Sequence, residues 1–218
     1  MPQTPISAKT GLPLGSRRPA LMALLAAGVA PWLAACDRLS SSAAPAGFRG
    51  IDITGADYAL DFALTDMDGV PRTLADYRGK ALMLYFGFVQ CPDVCPTALA
   101  RTVEVLHLIG PEAAKRVQLL FVTVDPERDT PELLRQYMGA FDPSFVALTG
   151  SMEQIRSTAD AFRVYFKKVP TGSTYTMDHT ALTYLFDPQG KVRVALRHEQ
   201  PASDYAADVE KVLAETPA

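Results

Sequence analysis

Two cysteines four positions apart, Cys91 and Cys95, are the residues in this 218-residue chain best suited to carry chemistry. Residues at positions i and i+4 share one face of a helix, so a helix that begins between them would bring both thiols together. Paired thiols of this kind perform disulfide exchange or bind soft metal ions. The spacing alone leaves both chemistries open.

The segments on either side of the cysteines predict how the pair is placed. The apolar run 81–86 predicts a buried strand, and Thr97–Ile109 predicts a helix. The pair would then lie at a strand-to-helix turn, where unpaired backbone N–H groups and the helix dipole favour thiolate over thiol. A proline after each cysteine also favours an exposed turn over two buried structural thiols.

The rest of the domain alternates strands and helices in one continuous rhythm. A hairpin is predicted over residues 62–74, then a buried strand at Val117–Val124, a helix from Thr130 and a short strand at Phe145–Leu148. A capped helix from Ser151, a turn-rich flap at Tyr165–Tyr175, a hairpin over residues 181–196 and a final helix capped at Ser203-Asp204 follow. This order predicts an α/β fold, a thioredoxin-like three-layer sandwich with a central mixed β-sheet and an N-terminal hairpin.

His179 is the third candidate site residue, because it directly precedes the strand that begins at Ala181. In a thioredoxin-like sandwich the loop entering this strand faces the cysteine turn. Two thiolates and one imidazole would form an open three-ligand site that suits copper, whereas a closed structural zinc site needs four protein ligands. Asp178 would either accept a hydrogen bond from the imidazole or cap the turn. Met177 is a candidate thioether ligand but is favoured as packing.

The N-terminal segment has the pattern of a secretory signal. Arg17-Arg18 precede an apolar stretch that ends in small residues before Cys36, like a bacterial lipobox. We therefore predict a lipoprotein-type signal peptide over residues 1–35, lipidation of Cys36, a flexible tether over 36–50 and a thioredoxin-like copper-binding domain over 51–218. Export by the general secretory route and by the twin-arginine route both remain open.

The charge balance and the cysteine count narrow the function further. A net charge of −3 without a basic patch argues against nucleic-acid binding. If lipid consumes Cys36, the mature chain keeps only Cys91 and Cys95, and a disulfide between them would close a very small loop that contributes little stability. The pair is therefore predicted to do chemistry rather than to hold the fold together.

Several separate segments resemble the Sco/SenC copper chaperones, thioredoxin-fold proteins that serve the assembly of cytochrome c oxidase. The resemblance spans about Phe62 to Leu213 and rests on these segments, in this order: Phe86-Gly87-Phe88 leading into Cys91-Pro92-Asp93-Val94-Cys95-Pro96, residues 124–132, residues 141–143 with 148–150, and Asp178-His179-Thr180-Ala181 with residues 187–190. It implies that Cys91, Cys95 and His179 bind copper, as Cu(I), Cu(II) or both.

The resemblance also implies a metallochaperone rather than an enzyme, with an accessory thiol-disulfide reductase activity. The recipient would be cytochrome c oxidase subunit II, at its dinuclear copper centre, or another exported cuproprotein. Thioredoxin-like reductants would be further partners. The protein would be lipid-anchored at the periplasmic face of the bacterial inner membrane. The alternative is a thiol-disulfide oxidoreductase or peroxidase of thioredoxin fold that acts through Cys91 and Cys95.

Overall fold

The computed structural model describes residues 47–215. The predicted signal peptide, Cys36 and most of the predicted tether lie outside these residues. No helix between residues 47 and 215 is both long and apolar enough to cross a bilayer. Residues 48–50 pack on the domain, where the buried Asp208 carboxylate accepts hydrogen bonds from the backbone N–H groups of Arg49 and Gly50 at 2.7 and 2.8 Å.

Ten strands and four α-helices make up the described chain. In chain order they are β1 (Ile51–Asp52), β2 (Ala63–Asp66), β3 (Pro71–Thr73), a 3₁₀ turn (Leu74–Tyr77), β4 (Ala81–Gly87), α1 (Val94–Ala114), β5 (Val117–Thr123), α2 (Pro131–Gly139), β6 (Val146–Thr149), α3 (Met152–Ala161), β7 (Phe166–Thr171), β8 (Thr174–His179), β9 (Leu182–Phe186), β10 (Val192–Arg197) and α4 (Ala202–Glu215).

Eight strands form one mixed sheet in the order β1-β10-β9-β4-β5-β6-β2-β3. The central strands β4, β5 and β6 are parallel, whereas β9 runs antiparallel to β4. Every residue of β4 and β5 is buried, as expected for parallel strands with helices on both faces. The predicted thioredoxin-like sandwich with a central mixed sheet and an N-terminal hairpin, here β2–β3, is confirmed.

The two faces of the sheet carry different helices. Tyr85 of β4 and its neighbour Phe121 of β5 face α1 and α2, and α4 packs beside α1 on this side. On the opposite face Phe86 packs edge to face with Phe162 at the end of α3. Alternate side chains of the same strand therefore enter different layers of the core.

The helix ends agree with the predicted limits only in part. Thr130 and Ser151 cap α2 and α3 as predicted, since their side chains accept the backbone N–H groups of Leu133 and Gln154. The predicted stop at Gly110 appears as a kink with φ of 80°, after which one more turn runs to Ala114. The last helix begins at Ala202, so Ser203-Asp204 lie in its first turn.

The prediction of a turn-rich flap at Tyr165–Tyr175 was wrong. Strands β7 and β8 form a regular antiparallel hairpin with a tight turn at Gly172-Ser173, where Gly172 has φ of +60°. Glycine adopts this backbone conformation without steric cost, so the chain reverses over two residues. The hairpin is a two-stranded sheet of its own, separate from the eight-stranded sheet, and His179 is its last residue.

Candidate metal centre

The two cysteines lie where β4 gives way to α1. Cys95 is the second residue of α1, and Cys91 precedes the helix by three residues, in a loop where its backbone N–H donates to the Phe88 carbonyl at 3.3 Å. The backbone N–H of Cys95 donates to the Cys91 sulfur at 3.4 Å. One of the unpaired N–H groups of the helix start therefore points at a sulfur, as predicted for a thiol pair at a strand-to-helix turn.

His179, the last residue of β8, lies next to the two cysteines although it is distant from them in sequence. Its Nε2 atom lies 3.4 Å from the Cys95 sulfur, and the two sulfurs and one imidazole nitrogen all lie within 4.8 Å of one another. Atoms bonded to one ion at about 2.0–2.3 Å are at most about 4.6 Å apart. A small side-chain movement therefore lets all three contact one ion. Within residues 47–215 this is the only such cluster of three His, Cys, Asp or Glu side chains.

Aromatic packing and one backbone contact orient the imidazole ring. The ring packs edge to face against Tyr85 and Phe88, with centroids 6.0 and 5.8 Å apart. Its Nδ1 atom lies 3.1 Å from the carbonyl oxygen of Thr180, so an N–H there leaves Nε2 free to bind a metal. Asp178 is exposed. The orienting contact considered for Asp178 thus comes from the backbone of Thr180 instead.

Both thiols are buried, with Cys91 8% exposed and Cys95 not at all, so the predicted exposed turn is wrong in this respect, and the two thiols differ in pKa. A hydrogen bond from the Cys95 thiol, helped by His179 and the backbone N–H groups of Asp93 and Cys95, holds the pKa of Cys91 far below its usual range. The same hydrogen bond and complete burial raise the pKa of Cys95. Without a metal, the surroundings of the pair therefore favour the thiolate on Cys91 over the thiolate on Cys95.

The surroundings of Cys95 include two residues that the sequence analysis did not assign. A Cβ atom added at Gly87 would lie 2.9 Å from the Cys95 sulfur and 2.7 Å from the Phe121 ring, so only glycine leaves room for this thiol. A glycine inside a buried strand often marks such a close approach, so Gly87 could have been identified from the sequence. Tyr85, whose pKa burial raises, places its hydroxyl 4.0 Å from the same sulfur.

The site opens through a cleft of about 300 Å³ between the cysteine turn and β8. Met177 is buried in its wall, on the same face of β8 as His179. The cleft is lined by Phe88, Cys91, Pro92, Asp93, Val94, Thr176, Met177, Asp178, His179 and Ala181. His107 lies elsewhere, in a cleft beside the end of α1, and His198 follows β10.

The profile of the SCO1/SenC family matches residues 52–214. The chain belongs to this family. Among its relatives is the mitochondrial SCO2 homologue of Bos taurus, which is 43% identical over 133 residues, or 60% of this chain and 50% of that protein. The chain spans about half to two thirds of the length of the first curated relatives it matches.

Solved structures of the family have the same fold. The structure of Bradyrhizobium japonicum ScoI with copper bound is 42% identical and covers 70% of this chain and 98% of its own, with a TM-score of 0.64. A SCO1/SenC family lipoprotein from Bacillus anthracis is 27% identical and covers 76% of this chain and 99% of its own, with a TM-score of 0.63.

The difference between the two thiols predicts a difference in alkylation. In the reduced protein we expect iodoacetamide to modify Cys91 first, at a rate nearly constant between about pH 6 and pH 8, because its thiolate is already formed. An ordinary thiol with a pKa of about 8.5 would react roughly tenfold faster for each pH unit over this range. Mass spectrometry of the peptide that carries both cysteines measures the two rates.

The same protein unfolded in denaturant is the control, since both cysteines should there react equally and with the ordinary pH dependence. Equal rates for Cys91 and Cys95 in the folded protein, or a steep rise in the Cys91 rate with pH, would contradict the assigned ionisation.

Proposed function

We propose that this protein is a copper chaperone that binds one copper ion through Cys91, Cys95 and His179. The observation that carries the proposal is the convergence of two sulfurs and one imidazole nitrogen within 4.8 Å at the end of an open cleft. Thiolates favour Cu(I), which accepts three-coordinate geometry, and an open side allows ligand exchange with a recipient. The relative from B. japonicum, described as having copper bound, supports this choice of metal.

The recipient we propose is the dinuclear copper centre of cytochrome c oxidase subunit II or another exported cuproprotein. Transfer would proceed by exchange, in which incoming ligands of the recipient replace those of the chaperone one at a time. Copper loading requires both cysteines in the reduced state, so the redox state of the pair would gate loading and thioredoxin-like reductants would restore it.

Copper binding by single-residue variants tests the ligand set. In the reduced protein we expect Cys91→Ser and Cys95→Ser to abolish stoichiometric Cu(I) binding and His179→Ala to weaken it by about tenfold or more, since each removes one donor. Competition with a chromophoric Cu(I) chelator measures the affinities. The matched controls are His107→Ala and His198→Ala, which should bind copper like wild type. Wild-type affinity and spectrum in Cys91→Ser and His179→Ala would refute the assignment.

A second function, thiol-disulfide exchange, is favoured by the unequal thiols. Cys91, which lines the cleft and has a lowered pKa, would be the attacking thiol, and the fully buried Cys95, with a raised pKa, would be the resolving thiol.

Deletion of the gene separates the two functions. If delivery is the main role, added copper should restore oxidase activity in the deletion strain, because free metal bypasses the chaperone. If a thiol reductant restores the oxidase activity and copper does not, the main role is instead that of a thiol-disulfide reductase.

We also propose that residues 1–35 are a lipoprotein-type signal peptide and that lipid on Cys36 tethers the domain to the periplasmic face of the inner membrane. The pattern before Cys36 supports this, as does the description of the B. anthracis relative as a lipoprotein. Residues 36–50 would form the tether, with its last residues packed on the domain.

Lipidation of Cys36 has a direct test. We expect the mature protein to begin at Cys36, to incorporate a labelled fatty-acid analogue and to sediment with membranes, because acylation supplies its anchor. The Cys36→Ser protein should take up no label. The Cys91→Ser protein is the control, since it keeps Cys36 and should be labelled normally. An unlabelled mature protein that keeps residues before Cys36 would contradict the proposal.

A further inference from the structure

One ligand of the proposed copper site stands on a separate part of the fold. Cys91 and Cys95 belong to the turn between β4 and α1, whereas His179 ends the β7–β8 hairpin, which forms its own sheet. No backbone ladder joins this hairpin to the eight-stranded sheet within residues 47–215. Two residues join His179 to β9 of the large sheet, and the side chains that fasten the hairpin add to this connection in setting the position of the imidazole relative to the sulfurs.

Arg128 and Asp125, in the loop after β5, make the most extensive of these contacts. The Asp125 carboxylate, fully buried, accepts a hydrogen bond from the Tyr175 hydroxyl at 2.9 Å and an ion-paired one from Arg128 Nε. Arg128 also donates to the Tyr175 carbonyl oxygen at 2.8 Å and stacks on its ring, 3.7 Å from the centroid. Tyr175 lies on the same face of β8 as His179, four residues away.

The same arginine also contacts the segment that carries the cysteines. Its Nη1 atom donates to the side-chain oxygen of Gln90 at 3.0 Å, directly before Cys91. Its guanidinium lies 6.0 Å from the ring of Phe88, and Phe88 in turn packs edge to face on the His179 ring. Asp129, one residue further along, accepts the backbone N–H of Val89 at 3.1 Å. The loop Asp125–Asp129 therefore contacts both segments that supply the proposed copper ligands.

An outer contact of the hairpin is weaker. Lys168 of β7 pairs with Glu127 at 2.7 Å and lies 4.3 Å from the Tyr175 ring, but both charged side chains are largely solvated. Exposed ion pairs contribute little, whereas a buried carboxylate loses much when its partner is removed. Arg128, with 16% of its side chain exposed, is therefore the stronger of these two polar contacts of the hairpin.

We propose that Arg128 is a positioning residue for copper, which ties Tyr175 of the hairpin to Gln90 of the cysteine segment and so holds the His179 imidazole against the two sulfurs. This inference rests on the proposed copper-binding function. Loss of the guanidinium frees the hairpin, whereas Asp129 still accepts the backbone N–H of Val89 and Cys95 stays in α1, so copper keeps its sulfur ligands and loses its nitrogen ligand. The effect of Arg128 therefore passes through His179.

The test is a double-mutant comparison on the reduced full-length protein with Cu(I) and the chromophoric chelator as probes. We expect Arg128→Gln to weaken Cu(I) binding by about tenfold, and by no more than His179→Ala does. In the His179→Ala background, Arg128→Gln should change the affinity less than about twofold, because the ligand through which it acts is gone. A purely structural role, or direct attraction between Arg128 and the thiolates, would lower the affinity in both backgrounds.

Two further variants sharpen the comparison. Arg135→Gln is the matched control, because Arg135 also bonds a carboxylate and a backbone carbonyl, those of Asp68 and Met67, but at a place outside the metal site. It should bind copper like wild type. Tyr175→Phe keeps the ring that Arg128 stacks on and loses only the hydroxyl, so it should weaken binding in the same direction by a smaller factor. This variant carries the test if Arg128→Gln fails to fold.

The Cu(II) form gives an independent signature. Its sulfur-to-copper absorption band should shift in Arg128→Gln in the direction seen for His179→Ala, and stay unchanged in Arg135→Gln. An Arg128→Gln protein with wild-type affinity and spectrum, beside a His179→Ala protein that shows its expected loss, would overturn this inference alone. Equal binding by His179→Ala and wild type would overturn the proposed ligand set, and this inference with it.

Discussion

The antiparallel pairing of β9 with β4 is the constraint on which the site depends. Tyr85 of β4 lies opposite Thr183 of β9, so the end of one strand meets the start of the other. The chain leaves β4 toward Cys91 and enters β9 from His179, and both therefore arrive at one edge of the sheet. A parallel β9 would place His179 about 17 Å away, the length of a five-residue strand, where no ion could bridge it to the sulfurs.

The ionisation of the thiol pair depends on two opposing effects. Burial favours the neutral thiol, and hydrogen bonds donated to a sulfur favour its thiolate. Cys95 is enclosed by Tyr85 and Phe121 in space that Gly87 leaves free, which favours its neutral form. Cys91 stands at the cleft and receives hydrogen bonds, which favours its thiolate. Binding of a soft cation removes the preference of Cys95 for its neutral form, because the metal replaces the proton of the Cys95 thiol. The same asymmetry would support disulfide exchange, and the imidazole on the third side distinguishes a metal site from a bare thiol pair.

The three donors are held with unequal rigidity. Two stand at the junction of α1 with β4, whose residues are all buried, and the third stands on a hairpin that belongs to a separate sheet. A displacement of the hairpin would therefore change the number of donors from three to two and leave the eight-stranded sheet intact. The polar loop Asp125–Asp129 carries three carboxylates, and its buried members, Asp125 and Asp129, hold neighbouring segments in place.

The sequence by itself determined the elements and the ligand types. Local signals were sufficient for β4, β5 and the caps of α2 and α3, because apolar runs and capping side chains act within a few residues. The cysteine turn was equally local, whereas His179 was assigned from its place before the strand at Ala181 in the expected fold, with support from the family resemblance. The β7–β8 hairpin was missed, since its polar residues resemble a loop until a two-residue turn pairs them. Only the tertiary structure decided that Thr180 rather than Asp178 orients the imidazole, that Gly87 makes room for Cys95, and that Arg128 spans both ligand segments. The contacts of Arg128 join residues 38 and 47 positions apart, and Cys95 meets His179 across 84 positions, so no local pattern encodes these distances, which only the folded chain creates.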